Sequence, residues 1–353
     1  DPPERVQTLA RQPLDKAWRR DRAYRNAQHF VDHLSLSELE ARTLALIFHL
    51  NTNHLLLETG EALEKFPIRN HPFTFSKLLD VSPGVLGGIF TNQNPLFRFG
   101  LVEVRSSFSN RTKIHEGYSV ESPVANILGN QAPTREDALA PFFRPAPRPS
   151  LERNDYQHLH EDIGVILALI QQAHSESRSG VNILLHGPPG TGKTELAQLL
   201  GADLDSNTAF VPEIDEEGDS LAPRRRFQHL AACDYILSNN ENSLVIMDEC
   251  EDMICNVGLS FFLFNTGDKI PKAAINQTLE TNRTPTIWIS NTTHSVDPAY
   301  LRRFSYVLPV DLPGPRQREH TLRRTLAEQP FAERATATRE PTPTRRTCLR
   351  TPG

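Results

Sequence analysis

The 353 residues include only four cysteines, two methionines, two tryptophans and seven lysines. The cysteines (Cys233, Cys250, Cys255 and Cys348) never fall in a Cys-x-x-Cys spacing. Such sparse usage excludes a disulfide framework and fits a reducing, cytoplasmic setting. No apolar run approaches the roughly 18 residues that a membrane-crossing helix needs. The longest are Ile163–Ile170 and Leu259–Phe264. A membrane-spanning chain is thereby excluded, as is a secreted disulfide knot; 18 glycines without a period exclude a collagen-like fibre. The chain opens on Asp1, without Met and without a basic-then-apolar leader, so a trimmed or partial product is expected.

Enough is present for a folded protein. Hydrophobic residues make up 38%, sufficient for a buried core, and the length suggests two or three domains. Acids outnumber bases 43 to 38, a formal charge of −5 that is unevenly spread. Residues 316–353 hold nine Arg and four Glu, a balance of +5, which leaves −10 on residues 1–315. Ala335–Gly353 is mostly Thr, Arg and Pro and cannot bury enough surface to offset its ordering entropy, so disorder is expected there. A phosphate- or nucleic-acid-binding tail and a plain unstructured or out-of-frame end both fit that composition.

Residues 1–35 read as a polar helical segment. Ser37, with Glu40 three positions later, caps a second helix, and Leu55–Phe66 continues the helical period to Pro67. Phe73–Phe90 reads as a helix ending near Asp80, a tight turn, and a second helix with Ser82 as cap and Pro83 at its first position. Strand-like runs follow at Gly100–Arg105 and Lys113–Val120. Helix, turn, helix and ribbon make residues 36–130 a winged-helix-like domain. Residues 131–150 carry Pro141, Pro145, Pro147 and Pro149 and read as a semi-rigid linker. Over 151–313 a helix at Leu159–Ala173 leads into alternating strands and helices: Val181–His186, Glu195–Leu200, Phe210–Ile214, Phe227–Leu237, Leu244–Met247, Thr286–Ser290 and Tyr306–Val310. That alternation predicts an α/β fold, a parallel sheet covered by helices on both faces. Residues 314–353 are left for a short helix and a basic tail.

The chemistry concentrates in the α/β part. Gly187-Pro188-Pro189-Gly190-Thr191-Gly192-Lys193-Thr194 fits Gly-x-x-x-x-Gly-Lys-[Ser/Thr], between an apolar strand and a helix. Glycines let the backbone amides turn toward phosphates, and the helix N-terminus, from Lys193 through Glu195, adds positive potential. Lys193 can reach the β and γ oxygens of ATP, and the Thr194 hydroxyl can ligate Mg²⁺. Ser243-Leu-Val-Ile-Met-Asp248-Glu249 is an apolar strand ending in adjacent acids. Asp248 can hold Mg²⁺ through water, and Glu249 can take a proton from an attacking water. Glu251 and Asp252 read as a solvated helix start.

These motifs, with Thr286-Ile-Trp-Ile-Ser-Asn291 and Asp297-Pro-Ala-Tyr-Leu-Arg302-Arg303-Phe304, resemble the AAA+ ATPase superfamily. The Arg-Arg-Phe ending is similar to the katanin- and spastin-like branch, and closer still to some bacterial AAA ATPases. The resemblance covers about Leu151–Pro313 and implies a P-loop NTPase fold, ATP and Mg²⁺ as ligands, and assembly into a homo-hexameric ring that remodels a protein or nucleoprotein. It further implies that Asn291 orients the hydrolytic water beside Glu249. Arg302 and Arg303 would be arginine fingers reaching the γ-phosphate of the neighbouring subunit. The residues alone also allow a solvent-facing basic helix end at Arg302–Arg303, a turn residue at Asn291, and plain core at Leu159, which matches the family's adenine-packing position.

Two departures from the family stand out. The stretch Glu213–Leu221, where polypeptide-threading members carry an aromatic, has five acids in its first seven residues and no aromatic. Either it grips something basic or it is merely solvated. After Pro313 too few residues remain for a helical lid, so weak ATP binding, slow hydrolysis and a mainly monomeric state are expected of this chain. The second helix of the winged-helix-like domain offers Gly84, Gly87 and Gly88 and no Lys, Arg, Gln or Asn before Asn92, which favours protein docking or a purely structural role over DNA reading. The competing function class is a nucleotide-switched binding module with little or no turnover.

Overall fold

Asp21 and Ser37 start the first two helices, each by accepting an amide from the turn that follows. In α1 (Arg22–Leu34) the Asp21 carboxylate takes the Tyr24 amide at 2.8 Å. In α2 (Glu38–Thr52) Ser37 and Glu40 form the reciprocal capping box that their spacing predicts. This computed structural model describes residues 18–62, 66–67, 70–105, 111–255, 270–292, 296–312 and 314. The first half of the expected helix over 1–35, the Leu259–Phe264 run, and the short helix and basic tail after 314 lie outside the described residues.

The helix–turn–helix expectation resolves into α3 (His71–Leu79) and α4 (Pro83–Gly87), with Asp80 in the left-handed conformation between them. The five residues of α4 make it shorter than expected, since Gly87 and Gly88 do not sustain a helix. The ribbon is shorter too: β1 (Val102–Val104) pairs antiparallel with β2 (Tyr118–Val120). Residues 114–117, expected as strand, form a helical turn because the Glu116 carboxylate accepts the Lys113 amide at 3.1 Å. The helix predicted over Leu55–Phe66 spans His54–Ala62, and Phe66–Pro67 pair instead with Arg111–Thr112.

Residues 131–150 are a correction to the linker expectation. After α5 (Ser122–Gly129) comes α6 (Arg135–Leu139), started by Thr134. Phe142 then inserts into the N-terminal core, edge-on to Phe30. β3 (Arg144–Pro145) adds an antiparallel edge to the large sheet. Proline is tolerated there because an edge strand has an amide to spare.

After α7 (His160–Glu176) the α/β part delivers β4 (Asn182–His186), α8 (Lys193–Asp203), β5 (Asn207–Phe210), α9 (Pro223–Leu237) and β6 (Ser243–Met247). Next come α10 (Glu251–Ile254), α11 (Lys272–Thr281), β7 (Thr286–Ser290), α12 (Pro298–Leu301) and β8 (Tyr306–Pro309). The strand order is β8-β4-β7-β6-β5-β3, all parallel except β3. β5 begins three residues before the predicted Phe210 because Asn207 and Thr208, polar by type, pair with Ser243 and Leu244. Successive side chains face opposite layers: Ile183 and Leu185 pack toward α7 and α8, while Leu184 and Trp288 pack toward α9 and α11. This is a P-loop NTPase sheet, buried on both faces as parallel sheets require. Among the described residues no helix is long and apolar enough to cross a membrane.

The N-terminal helices are seated on α9. Ala232 and Ile236 belong to the same apolar cluster as Phe30, Leu96 and Phe99. Gln228 donates to the Phe97 carbonyl at 2.8 Å, and Arg225 donates to the Gly100 carbonyl at 3.0 Å while pairing with Glu121.

Candidate functional site

β4 ends at His186 and the chain enters the glycine-rich loop, whose backbone only glycines accommodate. Gly187 has φ +151°, and a Cβ there would lie 2.3 Å from the Val310 carbonyl oxygen. Gly190 and Gly192 sit at φ +77° and +87°. Tyr156, which no motif pointed to, is buried and donates its hydroxyl to the Gly192 carbonyl at 2.8 Å. Burial and the nearby Glu195 and Asp155 push its phenol well up. The loop is thereby clamped from outside as well as bent from within.

Lys193 and Thr194 open α8. A helix's first amides have no intrahelical partner, and among the described residues neither donates its amide to a backbone carbonyl. Pro188, Pro189 and Gly190 are exposed, so the loop faces outward. Lys193 is buried and its ammonium donates to the Gly187 and Pro188 carbonyls at 2.9 and 2.8 Å. Burial draws it below the ordinary lysine value, against the opposing pull of Asp248 and Glu251. Glu195, in the first turn of α8, ties in the chain ahead of the α/β part, taking the Ser150 and Leu151 amides at 2.7 and 3.3 Å.

Fifty-four residues on, the end of β6 meets this helix. The Thr194 hydroxyl donates to the Asp248 carboxylate at 2.6 Å. A hydroxyl and a carboxylate oxygen side by side at the mouth of the loop form the hard-oxygen donor set that suits Mg²⁺. Glu249 follows in the left-handed conformation, φ +45°, and is exposed. Its amide donates to the Asp248 carboxylate at 2.8 Å.

The acids after it start α10 as expected, and Asp252 is exposed, but both have partners. Glu251 accepts the Asn291 amide, which ties the end of β7 to α10. Asp252 pairs with Arg226 at 3.3 Å. Arg226, 4% exposed, also donates to the carbonyls of Glu249 and Asp248. Nothing in the sequence marked it, because it belongs to no motif. Glu213, at the start of the acidic loop, is raised by its own burial and by Asp248.

Leu159 is buried in the core layer shared with Ile163 and Leu196. Asn291 is exposed at the end of β7. Arg302 and Arg303 follow α12 at the start of β8, whose Tyr306 pairs with Ile183 and Pro309 with His186. They therefore lie at the other end of the strand from Gly187, roughly 10 Å along it. Arg303 pairs with Glu280 at 2.6 Å, whereas Arg302 is exposed.

Residues 183–312 match the model of the "ATPase family associated with various cellular activities (AAA)". The chain is 26% identical over 156 residues to the "ATPase family AAA domain-containing protein 3A homolog" of Drosophila melanogaster, covering 40% of this chain. It is 32% identical over 93 residues to the "Proteasome-activating nucleotidase" of Sulfurisphaera tokodaii, covering 24% of this chain. The chain spans 23% of the length of each relative. Among solved structures, the E. coli MS115-1 HORMA:CdnC:Trip13 complex aligns at TM-score 0.38 and 19% identity, over 57% of this chain and 83% of that one.

Proposed function

Since this chain is a member of the AAA+ ATPase superfamily, we propose that it binds ATP with Mg²⁺, hydrolyses it, and spends the cycle on remodelling a protein target within a homomeric ring. The observation that carries the proposal is the Thr194–Asp248 contact beside Lys193 and Glu249. One loop and one strand end thus supply a phosphate cradle, a metal donor set and a carboxylate base.

Magnesium, when bound, neutralises charge on the β- and γ-oxygens, with Thr194 and Asp248 as its protein-side holders. Lys193 exchanges its two carbonyl partners for phosphate oxygens, and the amides at the start of α8 face the β-phosphate. Glu249 accepts a proton from water as that water's oxygen bonds to the γ-phosphorus and the bond to ADP breaks. Asn291 orients the water from the neighbouring strand. Arg302 and Arg303 lie too far along β8 to serve their own loop, which supports action on the nucleotide of an adjacent subunit. Between the two, the exposed Arg302 is the better placed finger, since Arg303 is already paired with Glu280.

The short, glycine-containing α4 offers exposed Val85 and no cationic donor, which supports protein over DNA as the target of the N-terminal helices. Replacing Glu249 by Gln tests the enzyme reading. Turnover should be lost while ATP affinity stays within about twofold of the parent. A nucleotide switch without catalysis would show no turnover to lose in either protein.

A further inference from the structure

Asp248 and Glu249 carry adjoining carbonyl groups, and one buried side chain holds both. Arg226 Nη1 donates to the Glu249 carbonyl at 2.8 Å, and Nη2 donates to the Asp248 carbonyl. Its remaining charge is met by the Asp252 carboxylate at 3.3 Å. Glu249 meanwhile occupies the left-handed region, at φ +45°, which a residue with a Cβ holds only when its surroundings impose it. The planar guanidinium fork can grip two carbonyls at once, which a lysine ammonium or an amide side chain does less rigidly.

The same helix faces the other way one residue earlier. Arg225 pairs with Glu121 and donates to the Gly100 carbonyl, and Gln228 donates to the Phe97 carbonyl. Ala232 and Ile236 of α9 complete the N-terminal apolar cluster. Consecutive residues of α9 therefore connect the N-terminal helices to the backbone of the proposed base by direct contact.

We infer that Arg226 is a positioning residue that sets Glu249 through its backbone, and that α9 thereby makes the hydrolytic step, rather than nucleotide affinity, answer to the N-terminal unit. The inference rests on Glu249 acting as the base. It is tested with Arg226→Gln, Arg226→Lys and Glu121→Gln, each measured by crystal structure, by affinity for a fluorescent ATP analogue and by ATP turnover. In Arg226→Gln, Glu249 should leave the left-handed region and turnover should fall roughly tenfold or more, with affinity held within about twofold. Arg226→Lys, which keeps the charge and loses the fork, should recover part of that loss. Glu121→Gln should lower turnover by roughly two- to fivefold at unchanged affinity.

A left-handed Glu249 with parental turnover in Arg226→Gln would overturn the positioning role, as would affinity falling in step with turnover. Parental turnover in Glu121→Gln would overturn the link to the N-terminal unit. If Arg226→Gln does not fold, Arg226→Lys carries the same comparison. If the parent itself hydrolyses no ATP, the enzymatic reading fails, and the conformation of Glu249 in the variants still decides whether Arg226 sets it.

Discussion

Two glycines of the same loop should respond very differently to alanine. At Gly187 an added Cβ would sit 2.3 Å from the Val310 carbonyl oxygen, a backbone atom, and 3.0 Å from its carbon. Neither side can yield alone. The Gly187 amide is bonded to Ser290, and the Val310 amide to His186 at 2.7 Å, so relief means parting β4 from β8 or β7. The φ of +151° adds a conformational cost, since that region is nearly glycine-only and costs on the order of 1–3 kcal/mol for other residues. With the steric shift comparable to an overpacked core, the total is about 3–5 kcal/mol. At Gly190 a Cβ meets nothing within 4 Å and φ is +77°, so only the left-handed penalty of about 1–2 kcal/mol remains. Thermal unfolding followed by circular dichroism is the assay. Gly187→Ala should lower the midpoint by roughly 6–15 °C and Gly190→Ala by roughly 2–6 °C. Equal shifts for the two variants would refute the claim that the Val310 carbonyl fixes the loop.

Lys193→Ala should abolish detectable binding of a fluorescent ATP analogue while the fold persists, because it removes the cation aimed at the phosphates; parental affinity would contradict the site. Arg302→Ala should keep nucleotide binding and lose hydrolysis, and mixing it with Lys193→Ala chains should restore part of the activity; co-assembled mixtures without rescue would count against action across a subunit boundary. His229, buried beside Arg225, is pulled down to about 3, so below the ordinary histidine value of 6.5 the unfolded chain takes up a proton that the folded one refuses. Stability should therefore fall with acidification at up to about 1.4 kcal/mol per pH unit from this group, or about 2 kcal/mol by pH 5. A His229→Gln variant should flatten that slope in urea titrations, and an unchanged slope would remove His229 from the acid response.

The candidate nucleotide site was legible because each of its steps is local. A strand, a glycine-rich turn and a helix follow in order around Lys193 and Thr194, and Asp248 and Glu249 directly follow the apolar strand Ser243–Met247. The clamps around it were not legible. Tyr156 and Arg226 reach the site from elements 36 and 22 residues away in sequence from the groups they hold, and neither belongs to a motif. Composition also misled where tertiary contact decides. Residues 131–150 looked like a spacer because proline disfavours regular structure, but Phe142 is buried and Arg144–Pro145 finds an edge to join. Glu251 and Asp252 do open a helix near solvent, but their partners Asn291 and Arg226 come from distant elements that no local pattern announces.

The most direct test of the whole picture is phosphate release from saturating ATP by the purified chain, measured with Mg²⁺ and again with a chelator. Mg²⁺-dependent release slower than the roughly 1 s⁻¹ of working enzymes, and none above background in the chelator, is the predicted result. Identical background release in both, from protein shown to bind ATP, would contradict it.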